Sequence, residues 1–420
     1  MTTLIVLVFL LVYLGLFLGG LPFLQLDRTG VALLGAIVLL ATDVVDMNQV
    51  WEAVHPPTLA LLFAFMVISA QLRLSGFYDW VVWRLDRFDL PPSALLGAVI
   101  LTSALLSAVF SNDIVCLAMA PVLADACRAR RLDPVPFLLA LACAANLGSA
   151  ATLIGNPQNM LIGERLALDF GGYLRLAAMP VGLGLAATWV ILLGLSRRRW
   201  HLAAPVAANP EPESEATSHR QRAEDQAPGL DRWQTIKGLG VAGVLLLAFL
   251  FAPWPRDLLA LAGAGLLLTS RRLHSHRMLG LVDWQLLVLF VGLFIVNHAL
   301  QETGLPARAI TALAGLGMDL HDPAPLFGAG AILSNLVSNV PAVMLLLPAA
   351  TEPMSGPVLA LSSTLAGNLL IVSSIANIIV VQAAARQGLL IDWRAHARVG
   401  LPVTLTTLAI AALWLGVLQG

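Results

Sequence analysis

Small polar residues interrupt two long apolar segments of the sequence. Residues 94–127 are broken by Ser111–Asp113, and residues 325–352 are broken by Ser338–Val340. Every backbone N–H and C=O group inside a bilayer needs a partner, so a helix break there is costly unless the freed groups line a cavity or bind a ligand. Hydroxyl, amide and carbonyl oxygens suit a hard cation such as Na⁺, and freed N–H groups at helix N-termini suit an anion. The pattern therefore predicts ion or anion binding at both breaks.

Asp113 is the only acid at either break, because the second break has Val340 at the equivalent position. A carboxylate at membrane depth is expensive and usually functional. Asp113 is therefore predicted to pair with a bound cation or to carry a coupling proton. The alternative is a structural carboxylate that is hydrogen-bonded to the backbone of the break.

A third polar stretch, residues 146–159, has the same character. Gly155 and Pro157 break a helix, and amide side chains surround that break. A simple kink does not require so many polar residues, so the stretch predicts a ligand site. The second half of the chain has a comparable stretch over residues 367–377. The polar residues in the two stretches are Asn146, Thr152, Asn156, Gln158, Asn159, Asn368, Ser373, Ser374 and Asn377.

The amino-acid composition indicates the environment of these breaks. Of the 420 residues, 58% are hydrophobic and 12% are charged, and the mean hydropathy is +0.84. Soluble proteins are about 25% charged, so a lipid bilayer is the expected environment.

The formal net charge of −1 gives no reason to expect a nucleic-acid partner. The three cysteines form no CxxC motif, so neither disulfides nor a metal cluster are predicted.

Apolar segments of about 20 residues predict transmembrane helices, and the two interrupted segments predict re-entrant hairpins that enter and leave the membrane on one side. The predicted fold is an all-α polytopic membrane protein. It has two inverted repeats, 1–200 and 233–420, each with five transmembrane helices and one hairpin, joined by a flexible, acidic, cytoplasmic linker at 201–232. The predicted crossings lie near 3–20, 29–43, 56–75, 135–163, 172–195, 236–253, 257–270, 284–303, 357–385 and 395–418.

Arginine clusters set the expected orientation, because cytoplasmic loops are enriched in basic residues. One topology places every cluster inside: both termini are periplasmic or extracellular, the first hairpin faces the cytoplasm and the second faces outward. Five crossings in each half make the second half an inverted copy of the first. The halves also share a pattern at one offset of 227 residues, since Ser107, Ser111, Asn112 and Pro121 recur as Ser334, Ser338, Asn339 and Pro348. Such repeats with broken helices are typical of secondary transporters.

The segments SNDIVCLAMAPVL and ANLGSAATLIGNPQNMLIG resemble the paired signature of the ion transporter superfamily. That superfamily includes divalent-anion/sodium symporters, the arsenite permease type and the sodium/proton antiporter type, all with a citrate transporter-like domain. The segments LSNLVSNVPAVMLLLP and GNLLIVSSIANIIVV extend the resemblance into the second half. It implies a possible homodimer and a Na⁺ site at Ser107, Ser111, Asn112 and Gly155.

The carboxylate symporters of this superfamily have a Ser-Asn-Thr motif at each hairpin tip. Both threonines are replaced here, by Asp113 and Val340, and the Asn-Asp pair is closer to the arsenite-permease branch, which implies proton coupling. Asn335, one helical turn before the second break, is expected to line the same cavity. The candidate ion- and substrate-binding residues are Ser107, Ser111, Asn112, Asp113, Asn146, Thr152, Gly155, Asn156, Asn159, Asn335, Ser338, Asn339, Asn368, Ser373 and Asn377.

The predicted function is secondary active transport of a small anion or oxyacid across the bacterial inner membrane, coupled to Na⁺ or H⁺, with no other cofactor. Two alternatives stay open: a cation/proton antiporter with Asp113 as the exchanging carboxylate, and a passive anion channel. An enzyme is not expected, because the sequence contains neither HExxH nor GxSxG. The absence of GxxxxGK[ST] argues against an ATP-driven pump.

Overall fold

The computed structural model describes residues 1–21, 24–197, 200 and 229–419, and these residues are mostly helical. The predicted linker at 201–232 lies outside the described residues as far as residue 228. The first helix after it begins at Arg232. The first-half helices are α1 (Thr2–Leu18), α2 (Arg28–Ala41), α3 (Met47–Ala53), α4 (Pro56–Leu74), α5 (Phe77–Asp86), α6 (Pro92–Val109), α7 (Asn112–Ala129), α8 (Pro134–Ser149), α9 (Pro157–Arg165) and α10 (Phe170–Ser196).

The second half has ten further helices, two 3₁₀ turns (Leu347–Ala349 and Ile371–Ser373) and no described strand. A short antiparallel hairpin, β1 (Gly20–Leu21) with β2 (Leu26–Asp27), joins α1 to α2. The second-half helices are α11 (Arg232–Phe251), α12 (Arg256–Leu268), α13 (Ser275–Leu279), α14 (Trp284–Glu302), α15 (Leu305–Gly315), α16 (Pro323–Val337), α17 (Asn339–Leu346), α18 (Ser355–Ala366), α19 (Ile375–Arg386) and α20 (Trp393–Gln419).

Six described helices, α4, α6, α10, α11, α14 and α20, are long and apolar enough to cross a membrane. Several more, including α1, α2 and α8, are apolar but shorter. Many exposed leucines and tryptophans cover their outer faces, as expected of a surface that meets lipid rather than water. The chain is therefore a multi-pass helical membrane protein.

Aspartates begin many of these helices. A side-chain oxygen of an N-cap aspartate accepts a hydrogen bond from a backbone N–H in the first helical turn, which satisfies a donor that the helix leaves unpaired. The six helices that begin this way are α2, α3, α8, α10, α11 and α14, with Asp27, Asp46, Asp133, Asp169, Asp231 and Asp283.

Two predicted spans, 135–163 and 357–385, are not continuous helices. The first is interrupted between α8 and α9, where Pro157 starts α9 and lacks an N–H for a continuing helix. A Cβ on Gly155 would collide with the backbone of Ser149, so the chain turns back on itself closely there. The second span is interrupted between α18 and α19 by the 3₁₀ turn Ile371–Ser373.

The interrupted segments 94–127 and 325–352 are pairs of helices, α6 with α7 and α16 with α17. The prolines beyond the two breaks differ. Pro121 lies inside α7, which continues to Ala129, so this proline does not end its helix. Pro348 lies in a 3₁₀ turn directly after α17 and does end that helix.

The packing brings the four breaks together. Helices α6 and α7 both pack on α8, α16 and α17 pack on α18, and α19 crosses from the second half to pack on α7 and α8. Helices α17 and α18 contact α9 in return. A Cβ on Gly148 in α8 would collide with the backbone of Ala104 in α6, so this glycine permits the close approach of the two helices.

Candidate functional site

Four helices have their N-termini at one small cavity, which we call the junction cavity. It has a volume of about 20 Å³, enough for roughly one water molecule or ion of similar size. Each of the four breaks contributes to its wall. The lining residues are Asn112 and Asp113 of α7, Pro157 and Gln158 of α9, Ser338, Asn339 and Val340 at α17, and Ser374 and Ile375 at α19.

The backbone makes the junction cavity electropositive. A helix N-terminus carries about half a positive charge and several N–H groups without intrahelical partners. The N-cap residues of α7, α17 and α19, namely Ser111, Ser338 and Ser374, make no side-chain cap hydrogen bond. Only α9 is capped, by Asn156. Among the described residues no Lys, Arg or His lines the cavity, so the helix termini supply positive potential there without a cationic side chain.

Within the part of the chain that the structure describes, Asp113 is the only ionisable residue that lines the junction cavity. Its carboxylate forms no hydrogen bond or ion pair within the described part of the chain, so the structural alternative of a backbone-bonded carboxylate receives no support. An acid without partners among the N-termini of four helices is available to exchange a proton or to contact a cation.

The strained residue Ser338 shapes the second break. Its φ of 74° and ψ of 161° lie in a region that only glycine adopts readily. The neighbouring Asn339, in the amide orientation that satisfies its surroundings, accepts a hydrogen bond from Gln158 (3.2 Å) and donates to the carbonyls of Ser363 (3.1 Å) and Ser373 (3.3 Å). The second break is thereby tied to the first half through α9.

Asn146 is the centre of the largest side-chain network around the junction cavity. Its Oδ1 accepts hydrogen bonds from Asn112 Nδ2 (2.8 Å) and Ser374 Oγ (2.9 Å). Its Nδ2 donates to Oδ1 of Asn368 (2.8 Å) and of Asn377 (3.1 Å). All five side chains are buried, so this amide links the breaks of both halves.

A second network is centred on the hydroxyl of Thr364 in α18. It accepts hydrogen bonds from Gln158 (3.1 Å) and Asn156 (3.3 Å) and lies 3.3 Å from Oδ1 of Asn159. Asn156 also donates to Ser149 Oγ (3.0 Å). These contacts hold α9 against the second half.

Asn159 fixes the shape of the break between α8 and α9. Its Nδ2 donates to the carbonyl of Thr152 (3.0 Å) and lies 3.3 Å from the hydroxyl of Tyr173. Tyr173 in turn donates to the carbonyl of Ala150 (2.8 Å). The Thr152 hydroxyl donates to the carbonyl of Ala108 in α6 (2.6 Å). The freed carbonyls of this break are therefore paired by side chains, as a buried backbone requires.

The Na⁺ site implied by the resemblance fits the structure in part. Ser107 Oγ and Asn112 Oδ1 are buried oxygens without a hydrogen-bond partner, and such oxygens are suitable ligands for a hard cation. The Gly155 carbonyl accepts a hydrogen bond from the Asn112 N–H (3.2 Å). Ser111 is half-buried, and its hydroxyl makes no cap hydrogen bond.

The structure brings most of the predicted residues to this region, but only four of them line the junction cavity: Asn112, Asp113, Ser338 and Asn339. Asn335 does not line it, which corrects that expectation. Its amide lies one helical turn away, donates to the Ala331 carbonyl and accepts from Ser373 Oγ (2.7 Å).

The structure adds Gln158 and Ser374 to the cavity wall and Ser149, Tyr173 and Thr364 to the networks. Gln158 and Ser374 lie within polar stretches that the sequence shows, so their proximity to the breaks was a usable signal. Thr364 and Tyr173 lie outside those polar stretches, and the sequence analysis did not identify them.

Two larger cavities flank the short helix α17. The amino-side cavity, about 350 Å³, lies at its N-terminal end and shares Ser338, Val340 and Ile375 with the junction cavity. The carboxyl-side cavity, about 310 Å³, lies beside Met344 and Pro348 near its C-terminal end and is lined by polar residues of α3, α9 and α14. Those polar residues are Glu52, Arg165, Asn297, His298 and Gln301.

A multi-pass helical chain with paired, polar helix breaks at one buried cavity has the features of a secondary transporter. The family model described as "Citrate transporter" (CitMHS) matches residues 6–360, and the chain belongs to this family. It is 31% identical over 424 residues to an uncharacterized transporter of Mycobacterium tuberculosis strain H37Rv, covering 95% of this chain and 96% of that protein.

The chain is also similar to one further transporter in sequence and to one solved structure in fold. The chain is 30% identical over 452 residues to the silicon efflux transporter LSI3 of Oryza sativa subsp. japonica, covering 93% and 92% of the two chains. Among solved structures, the YdaH transporter of Alcanivorax borkumensis has a TM-score of 0.53 at 16% identity, covering 99% of this chain and 97% of that one. The last likeness concerns the fold alone.

Proposed function

We propose that this transporter moves a small oxyacid across the membrane by secondary active transport coupled to protons, with Asp113 as the proton-carrying group. One observation carries the proposal: Asp113 has no hydrogen-bond or ion-pair partner in the described chain and lines the cavity where four helix N-termini meet. A carboxylate in that place can gain and lose a proton as substrate oxygens arrive and leave.

The groups around the junction cavity favour a guest that both donates and accepts hydrogen bonds, and the cavity volume of about 20 Å³ admits one hydroxyl group of that guest and not the whole molecule. The uncapped backbone N–H groups can donate hydrogen bonds to oxygen atoms of the guest. The Asp113 carboxylate and the Asn112 amide oxygen can accept hydrogen bonds from its hydroxyl groups. A polyhydroxy oxyacid offers both. A citrate-sized trianion would need cationic side chains, and the cavity wall has none. One relative is named as a silicon efflux transporter, which supports this proposal.

A cation/proton antiporter is the second candidate. The unpartnered oxygens of Ser107 and Asn112 favour it, because they could bind Na⁺ close to the exchanging carboxylate of Asp113. In that case cation and proton would compete for one site, and no oxyacid would be needed.

We also propose how the two halves of the chain are arranged in the membrane. Residues 1–200 and 233–420 form two inverted repeats, each with one re-entrant hairpin (94–127, opening to the cytoplasm, and 325–352, opening outward). The region 201–232 links them on the cytoplasmic side, both termini lie outside, and the bacterial inner membrane holds the protein as a homodimer. The matched breaks at Ser111 and Ser338 and the joint cavity support this arrangement.

Purified protein in proteoliposomes tests the function. Gradients of H⁺ and of Na⁺ are imposed separately, and uptake or release of silicic acid, arsenite, phosphate and citrate is measured together with internal pH. The proposal expects proton movement that depends on a small oxyacid and needs no Na⁺. Proton movement that depends on Na⁺ alone would establish the antiporter, and solute flux without counterflow would indicate a channel.

A further inference from the structure

The amino-side cavity gives Asp113 a route to water. It shares Ser338, Val340 and Ile375 with the junction cavity, so only the tip of α17 and the start of α19 separate the two spaces. At about 350 Å³ the amino-side cavity is large enough for several water molecules, and charged side chains form part of its otherwise largely apolar wall. An ionisable group in the wall of this cavity that lies close to Asp113 is therefore placed to pass protons between the cavity and Asp113.

Three charged residues line the amino-side cavity: Asp27 and Arg28 at the start of α2, and Asp283 at the start of α14. The other elements around it, the end of α1, the tip of α17 and the starts of the 3₁₀ turn and α19, contribute no titratable side chain to its wall. Arg28 donates to the carbonyl of Val372 (3.3 Å) and forms no ion pair with either aspartate.

The two aspartates have the same local role and different surroundings. Asp27 caps α2 by accepting from the Gly30 N–H (2.8 Å), and Asp283 caps α14 by accepting from the Leu286 N–H (3.0 Å). In each case one carboxylate oxygen is used for the cap. Asp283, and not Asp27, is near enough to Asp113 for a negative charge on one carboxylate to repel a negative charge on the other.

We propose that Asp283 is a relay residue that passes protons between the water of the amino-side cavity and Asp113. This inference rests on the proposed proton coupling of Asp113. In the relay, the Asp283 carboxylic acid releases a proton through water to the Asp113 carboxylate, and water in the cavity then reprotonates Asp283. The number of protons is conserved, and no other reactant is required.

The variants Asp283→Asn and Asp27→Asn test the relay as a matched pair. Asparagine caps helices as well as aspartate does, so both variants retain the fold, and size-exclusion chromatography checks this directly. Substrate-driven proton flux in proteoliposomes is measured over a range of pH. We expect Asp283→Asn to lower the maximal flux about tenfold or more at every pH, as loss of a proton-transfer group does. Asp27→Asn should stay within about twofold of the wild type.

Two further readouts separate a relay from a purely electrostatic effect. Asp283→Glu and a small permeant weak acid such as formate should each restore flux in part, because both return a proton carrier to the cavity. Wild-type maximal flux in Asp283→Asn, with or without a displaced pH midpoint, would overturn the relay while wild-type proton coupling stands. An absence of substrate-driven proton flux in the wild type itself would overturn the proposed function, and the relay with it.

Discussion

Asn146 and Asn368 form a 2.8 Å hydrogen bond between side chains that are 222 residues apart in the sequence. The bond joins a helix of the first half to the break of the second half. Both residues are buried, and Asn368 Nδ2 has no partner of its own in the described chain. The two halves therefore meet through amides that only the assembled site can pair.

Replacing Asn146 by leucine should destabilise the protein strongly. The change leaves the side chains of Asn112, Asn377 and Ser374 without one partner each, and a buried unpaired polar group costs about 1–3 kcal/mol. We expect a clear fall in the thermal unfolding temperature in detergent. Ser103→Ala is the matched control, because that hydroxyl bonds only to the Val99 carbonyl in its own helix. Equal stability of the two variants would contradict the linking role of Asn146.

Gly155→Ala should impair both stability and transport. The added Cβ would collide with the backbone of Ser149, which cannot move as a flexible side chain can. Overpacking of this kind costs about 1–3 kcal/mol. Gly182→Ala in α10 is the control, since a Cβ there meets no atom within 4 Å. Thermal unfolding and substrate flux are measured for both, and a neutral Gly155→Ala would show that the break is wider than described.

Ser338→Gly should make the protein more stable. The backbone of Ser338 lies in a region that costs a non-glycine residue about 1–3 kcal/mol, and glycine removes that strain. The serine at the equivalent position of the first half, Ser111, has a φ of −46°, so Ser111→Gly should bring no such gain. Unfolding temperatures of the two variants provide the comparison. A loss of stability in Ser338→Gly would mean that its side chain outweighs the strain.

The ion pair between Arg256 and Glu164, 3.0 Å apart, should respond unequally to loss of its partners. Arg256 also donates to the carbonyls of Gly163 (2.9 Å) and Leu168 (3.1 Å). Arg256→Gln therefore leaves three acceptors unpaired, namely the Glu164 carboxylate and the two carbonyls. Glu164→Gln removes only the ion pair, because Arg256 keeps its hydrogen bonds to the two carbonyls. We expect the arginine variant to unfold at the lower temperature. The double variant should lie close to Arg256→Gln alone, and simple additivity would speak against coupling.

The sequence predicted the helices well because membrane-length apolar runs leave few alternatives. It also located the breaks, since Gly155, Pro157 and the serines have direct local consequences. It did not show how long the interruptions in the predicted spans 135–163 and 357–385 are, because apolar residues on both sides of each break extend the predicted span across it. The roles of Thr364 and Tyr173 depend on which helices meet, and a local pattern does not contain that information.

The most direct test of the account is substrate-driven proton flux in Asp113→Asn proteoliposomes, with Asp125→Asn as the control. Asp125 lies in the same helix and is exposed, so both variants remove one carboxylate from α7. We expect Asp113→Asn to abolish proton flux and Asp125→Asn to retain it. Wild-type proton flux in folded Asp113→Asn protein would contradict the central claim that this carboxylate carries the coupling proton.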